Sequence, residues 1–83
     1  MEATTMTRRR LRWSPRALEL QISRARAQAR AEGRRLRILD IARAADRDRE
    51  TLMNWRKGRT TPSADEMFAL AHVLGCSVED FAE

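Results

Sequence analysis

Apolar residues return along this chain at helical intervals, not alternating ones. Leu18, Ile22, Ala25 and Ala29 stand at i, i+4, i+7 and i+11 and so share one face of an α-helix. Ser14-Pro15 opens that helix, an N-cap residue followed by a proline whose missing N–H costs nothing in a first turn, and Gly33 closes it. Ile38, Ile41, Ala42 and Ala45 repeat the pattern over a short second helix, 38–45. Asp46-Arg47-Asp48 breaks the pattern, and Asp48 is placed to cap a third helix, 49–57, that Gly58 stops. After the loop Arg59-Thr60-Thr61-Pro62, Ser63 and Glu66 form an S-x-x-E capping box. Met67, Leu70, Ala71 and Leu74 then give a fourth helix its inward stripe, ended by Gly75. Ser77 and Asp80 repeat the box more weakly before a last helical turn with Val78 and Phe81. Residues 1–13 lack this spacing and carry Arg8, Arg9, Arg10 and Arg12; they read as a flexible basic arm ahead of one domain over 14–83.

Composition narrows the class. Leu, Ile, Val and Phe supply 15 of 83 residues, just under the roughly 20 % level where disorder becomes a concern, while alanine alone supplies 13. Any core is thin, and the helices must pack closely around small side chains. Three glycines, two prolines and five Val or Ile residues argue against a turn-rich β fold. The expectation is therefore an all-α, compact five-helix domain. One cysteine (Cys76) cannot close an internal disulfide, and one histidine (His72) makes no zinc-ligand set, so no metal or other cofactor is expected. With a single His, no Tyr and no Gly-rich loop, enzymatic chemistry has little to build from. No apolar run follows the basic segment, and nothing approaches the ~20 apolar residues of a membrane span, which points to a soluble, cytoplasmic chain.

Charge divides the sequence in two. Residues 1–59 hold all 17 Lys and Arg against seven acids, a net of +10, and residues 60–83 hold five acids and no base. Such asymmetry suggests a polyanion partner at one end and something else at the other. Sixteen of the 17 bases are arginine, which reflects either bidentate phosphate and guanine contacts or a GC-rich genome. The arm arginines are either an ordinary tail or candidate contacts to phosphate or the minor groove. The acidic segment is either a solvated face or a partner surface. Trp13 either packs on the first helix or stands clear of it.

The informative feature is two short helices joined by a three-residue turn, the helix-turn-helix geometry, in which the second helix projects and can enter a major groove. Leu52 and Trp55, three apart, face the core. Arg49, Glu50, Met53, Asn54 and Lys57 occupy the opposite face, and Arg, Asn, Glu and Met suit guanine, adenine, cytosine and a thymine methyl respectively.

At these residues the chain resembles the Cro/lambda-repressor-like (Xre-type) helix-turn-helix family, over about residues 16–81. Ile41-Ala42 looks like its Leu-Ala pair; Leu52, Trp55 and Gly58 stand where it has an aliphatic, an apolar residue and the glycine ending its recognition helix. Pro62-Ser63, Leu70-Ala71 and the run from Leu74 to Phe81 look like its P-S…LA…LG-x-S-x-x-x-Φ tail, where Φ is apolar. The resemblance implies a lambda-repressor-like fold, with Arg49, Glu50, Thr51 and Asn54 on positions that meet base edges. It also implies backbone contacts from the loop 59–63 and the start of the first motif helix. Arg34, Arg35, Arg37, Arg43, Arg47, Lys57, Arg59, Thr60 and Thr61 are the candidates for that role. Where the family often has a phosphate-binding Gln this chain has Ile38, and Arg34, Arg35 and Arg37 are the electrostatic replacements. Asp46 takes a glycine's place in the turn, tolerable because Asp visits positive φ. Arg56 replaces a common Glu whose arginine partner falls at Ala31, which implies that this interhelical ion pair is absent.

The expected function is sequence-specific binding of double-stranded DNA by a small transcriptional regulator, a repressor of bacterial, phage or mobile-element origin. The expected site is the nucleoid. No dimerisation domain is expected beyond these helices, so a homodimer would form around Val73, Val78 and Phe81. The competing expectation is a protein-interaction module on the same fold, an antitoxin or an adaptor bound to a larger protein. RNA binding is disfavoured by the lack of exposed aromatics for base stacking.

Overall fold

A computed structural model describes residues 12–83; the arm residues Arg8, Arg9 and Arg10 lie outside it. Helix α1 spans Pro15–Ala31, α2 Ile38–Ala44, α3 Arg49–Arg56 and α4 Ala64–Leu74, and a single 3₁₀ turn covers Val78–Phe81. The expected fifth helix is thus a 3₁₀ turn, and the link between the motif helices is four residues, because Ala45 has left the helix as its C-cap.

Local chemistry sets each boundary. The Ser14 hydroxyl accepts from the Ala17 N–H at 3.0 Å with Pro15 at the first helical position. The Asp48 carboxylate accepts from the Thr51 N–H at 2.8 Å. Ser63 and Glu66 complete their box in both directions, at 3.2 and 2.7 Å. Each such cap satisfies N–H groups that a helix leaves without partners and stabilises it by about 1 kcal/mol. Asp46 sits at φ 61°, a left-handed conformation that Asp tolerates better than most residues, and it turns the chain from α2 into α3.

One cluster holds the elements together: Leu18 and Ile22 from α1, Ile41 and Ala42 from α2, Leu52 and Trp55 from α3, Leu70, Ala71 and Leu74 from α4, and Phe81 from the 3₁₀ turn. Helix α1 packs on α3, α4 and the 3₁₀ turn, and α2 packs on α3 and α4. Ala25 and Ile38 are only partly buried at the edge of this cluster.

Three long-range contacts close the bundle. First, the Arg56 guanidinium donates to both oxygens of Glu19, through Nε and through Nη2 at 3.2 Å, and so ties the last turn of α3 to α1. The pair with position 31 is absent, Ala31 being uncharged, and Arg56 is paired instead with Glu19, twelve residues earlier on α1. Second, Arg47 donates to Glu66 at 2.7 Å and to the Asp46 carbonyl at 2.7 Å, linking the motif turn to the first turn of α4. Third, Arg12 and Trp13 run antiparallel to the residues after the 3₁₀ turn. Arg12 and Glu83 exchange backbone hydrogen bonds at 3.3 and 3.0 Å, and Ser14 N–H donates to the Phe81 carbonyl at 2.8 Å. Trp13 stacks obliquely on Phe81 with ring centroids 5.5 Å apart. Its indole N–H is buried without a partner among the described residues, so ring packing and backbone pairing seat it. Trp13 thus packs on the 3₁₀ turn, an option outside the two weighed from sequence.

Two outcomes test this architecture. Arg56→Glu alone opposes two carboxylates and should lower stability by roughly 1 kcal/mol, and adding Glu19→Arg should recover most of that loss in urea melts. Asp48 and Glu66 are held below the usual carboxylate range, Asp48 by its hydrogen bonds with Thr51 and Glu66 by the Ser63 N–H and then Arg47. Their folded pKa lies below the unfolded one, so their contribution is complete above roughly pH 5 and is lost as pH falls toward roughly 3. Asp48→Asn and Glu66→Gln keep the capping oxygens without the titration, and together they should flatten the fall of Tm over that range.

Candidate nucleic-acid interface

The core fixes which side of α3 turns outward. Leu52 is fully buried and Trp55 is 3 % exposed, so the opposite side carries Arg49 and Glu50 in the open with Asn54 and Met53 half-buried beside them. Thr51 is half-buried, and its N–H is engaged by the Asp48 cap. The Met53 sulfur accepts from Arg56 Nη1 at 3.2 Å, so that side chain is steadied by the same guanidinium that anchors α3 to α1. A helix turns about 100° per residue, so Arg49 and Asn54 lie about 140° apart, on opposite shoulders of the outward face.

Candidate backbone-contacting residues fall at two ends of this face. Between α2 and the start of α3, Leu39, Arg43, Asp46, Arg47, Asp48 and Arg49 line an open depression of about 460 Å³. Arg43 and Arg49 are exposed there without an ion pair among the described residues. Arg47 is different: Glu66 and the Asp46 carbonyl occupy its guanidinium, and the Glu66 bond raises its pKa further. At the other end Lys57 caps α3, and Arg59, Thr60 and Thr61 follow, all exposed. Gly58 at φ 75° makes the turn between them, and Arg59 N–H donates back to the Asn54 carbonyl at 2.9 Å. A Cβ at Gly58 would stand 3.2 Å from the Pro15 ring, so the glycine serves both the left-handed turn and the close approach of α1. Through that contact the start of α1, with exposed Arg12 just before it, lies next to the end of α3.

Upstream of α2, Arg37 is its N-cap residue. The Asp40 carboxylate accepts from the Arg37 N–H at 2.9 Å, which lowers the Asp40 pKa, and from Arg37 Nε at 3.4 Å. Arg34 bonds Glu32 at 2.6 and 3.1 Å, and Arg35 is exposed. Of the three electrostatic replacements for the missing Gln, two are thus partly neutralised within the chain.

The residues named for pairing of two copies are not all on the surface. Phe81 is 1 % exposed and belongs to the core of its own chain, so it offers no dimer contact; its apolar position in the last turn had the same pattern as a surface stripe. Val73 and Val78 are half-buried against the same core. Phe68, missed from sequence, is 65 % exposed on α4 beside a shallow groove shared with Ala71, His72, Cys76 and Val78. The signal for it was an aromatic off the inward stripe of α4. Burial pushes the Cys76 thiol pKa up, which suits packing and not reactivity.

Among the described residues no helix is long and apolar enough to cross a membrane, and no group of side chains forms a metal site. No curated protein and no solved structure gives a significant match to the chain. A helix-turn-helix family model matches residues 27–81, two thirds of the sequence, from the second half of α1 through the 3₁₀ turn. That family is one of double-stranded DNA binders acting in transcription regulation, not of enzymes. With Ile41-Ala42, Leu52, Trp55, Gly58 and the Ser63 box all where such a fold requires them, the chain belongs to the helix-turn-helix family of Cro/C1 (Xre-like) DNA-binding transcription regulators.

Proposed function

We propose that this protein is a sequence-specific repressor of bacterial, phage or mobile-element origin that reads a half-site with the outward face of α3, on chromosomal DNA in the cytoplasm. The observation that carries this reading is the split of α3 into a buried Leu52/Trp55 side and an outward Arg49, Glu50, Asn54 side. Arg49 matches guanine through paired donors and Asn54 matches adenine through a donor and an acceptor, while Glu50 and Met53 suit cytosine and a thymine methyl. Arg43, Lys57, Arg59, Thr60, Thr61 and the arm from Arg12 backward hold the phosphates on either side. Those contacts fix register and release counterions, and base contacts supply the preference.

Repression by occupancy requires a site long enough to be rare, and pairing two copies doubles it. The pairing surface we assign is the groove of Phe68 and Val78, in place of Phe81. Phe68 is the most exposed large hydrophobic of the described residues, and it adjoins the groove of Ala71, Cys76 and Val78, so that its exposure forms part of a contiguous apolar patch. The adaptor or antitoxin reading drew on the acidic segment, but Glu66, Asp80 and Glu83 are engaged within the chain by Ser63 and Arg47, by Ser77, and by Arg16. Arg47 and Arg16 thus neutralise two of the segment's five acids, while Asp65, Glu79 and Asp80 keep their charge.

Selection of bound duplexes from a random library should return a defined consensus for the wild type. Arg49→Ala and Asn54→Ala should each cost roughly 1–3 kcal/mol on that consensus, little on random DNA, and relax preference at different base pairs. Lys57→Ala should weaken both DNAs together. If both alanine variants stay folded and keep wild-type preference, α3 is not the reading element. For the pairing surface, sedimentation should show Phe68→Asp as a folded monomer that has lost palindrome binding more than half-site binding. Phe81→Asp should instead unfold, since it places a charge in a thin core.

A further inference from the structure

The outer face of α1 adjoins the candidate backbone contacts Arg34 and Arg35 and is itself strongly basic. Residues 20–39 carry six arginines against one acid, Glu32. The chain leaves α1 through Gly33 at φ 76°, whose N–H donates to the Arg30 carbonyl at 3.0 Å, while the Arg34 N–H reaches back to the Ala29 carbonyl at 2.8 Å. These are the two bonds of a Schellman closure, which folds the chain back against the helix it has just left. Ala29, fully buried, pins the helix, and Leu36, packed against the core, pins the returning segment. Arg26 and Arg30, four residues apart, share one helix face, and Arg34 and Arg35 join them around a cleft of about 360 Å³ that Leu36 also lines. All four arginines are exposed, and among the described residues only Arg34 has a carboxylate partner, Glu32.

Like charges at i, i+4 repel, and here a fixed backbone gathers further arginines beside them. The helix macrodipole favours a cation in the last turn and so accounts for Arg30. It does not account for Arg26 a turn earlier, or for Arg35 beyond the helix end. An anion does. Guanidinium forks match phosphate oxygens bidentately. Arg26 and Arg30 are separated by about 6 Å along the helix axis, close to the roughly 7 Å that two phosphate steps of one strand advance along a duplex at about 3.4 Å each. Arg34 and Arg35, the first of the candidate backbone contacts, connect this face to Arg37, the N-cap of α2.

We propose that this arginine cleft is a second phosphate-binding site, which grips the duplex backbone flanking the segment read by α3. The inference rests on the DNA-binding reading above and extends it to α1, a helix that reading leaves as scaffold. A strand that passes Arg37 continues to Arg35 and then to Arg30 and Arg26.

The test uses the full chain and two duplexes carrying the consensus returned by library selection, one trimmed to it and one extended by about ten base pairs, a helical turn, on each side. The wild type should bind the extended duplex several-fold more tightly, with a log K against log [salt] slope steeper by about 1–2. Arg26→Gln/Arg30→Gln should abolish both differences while leaving binding to the trimmed duplex and the Tm unchanged. Arg26→Lys/Arg30→Lys should retain most of the gain, because an ammonium still neutralises phosphate. Equal slopes on the two duplexes for the wild type overturn the proposal. So does a glutamine variant that weakens both duplexes alike, or one that keeps the full gain from the flanks. If selection returns no bound duplex at all, the DNA reading itself fails and takes this inference with it, an outcome visible before any flank is compared.

Discussion

The rotation of α3 about its own axis is the constraint on which the function of this domain depends. A helix of eight residues presents its bases-facing side correctly only if it cannot roll, and a core this small supplies few contacts to prevent rolling. Trp55 provides one stop: its large ring fits the cluster formed with Leu18, Ile22, Ile41 and Leu70 on one side of the helix only. The Arg56–Glu19 pair provides the second, on a neighbouring side and at the end where a helix frays most readily. Apolar burial is not directional, whereas a forked guanidinium meeting a carboxylate is. The two together fix an angle that neither fixes alone. The same guanidinium touches the Met53 sulfur, so the anchor extends to the outward face itself.

Which parts of this were legible in the sequence follows from the range of the interactions. Caps and turns are local, and Ser14, Asp48, Ser63, Gly33, Gly58 and Gly75 marked helix ends to within a residue because each acts on N–H or C=O groups three or four positions away. The inward stripes were legible for the same reason. Contacts between distant residues carried no such mark. Arg56 and Glu19 are 37 residues apart, and nothing local to either position marks them as partners. Arg47 read as a phosphate ligand because it is a cation at the motif turn, and only the arrival of α4 nineteen residues later brings Glu66 against it. Phe81 shows the limit from the apolar side, since period alone does not say whether a hydrophobic face is covered by its own chain or by another. Trp13 and the antiparallel pairing at Ala82 decide the matter in favour of the chain itself.

The division of charge along the sequence acquires a different meaning in three dimensions. The acidic stretch after residue 59 reads as a separate functional surface only while it is viewed as a line. Folded, Glu66 closes the cap of α4 and holds the motif turn, Asp80 closes the cap of the 3₁₀ turn, and Glu83 pairs with Arg16 at the start of α1. These carboxylates lie where helix N-termini and arginines need them, and the pKa values of Glu66 and Glu83, lowered first by the Ser63 N–H and by Arg16 respectively, express that fit.

The arginines divide correspondingly. Arg16, Arg34, Arg37, Arg47 and Arg56 have carboxylate partners within the chain and hold its elements in place. Arg12, Arg24, Arg26, Arg30, Arg35, Arg43, Arg49 and Arg59 have none among the described residues, and all are exposed. A polyanion releases its counterions to cations that are not already neutralised, so the second group and not the total sets how strongly affinity depends on salt. The distinction also separates two kinds of loss. Removing Arg47 or Arg56 loosens the frame that orients α3, and preference among sequences and stability fall together. Removing one of the second group leaves the frame intact and changes affinity or preference alone. A sequence with sixteen arginines therefore does not present sixteen equivalent contacts. Its acids, twelve against seventeen bases, tie Arg16, Arg47 and Arg56 into contacts between elements and leave most of the other arginines open to DNA.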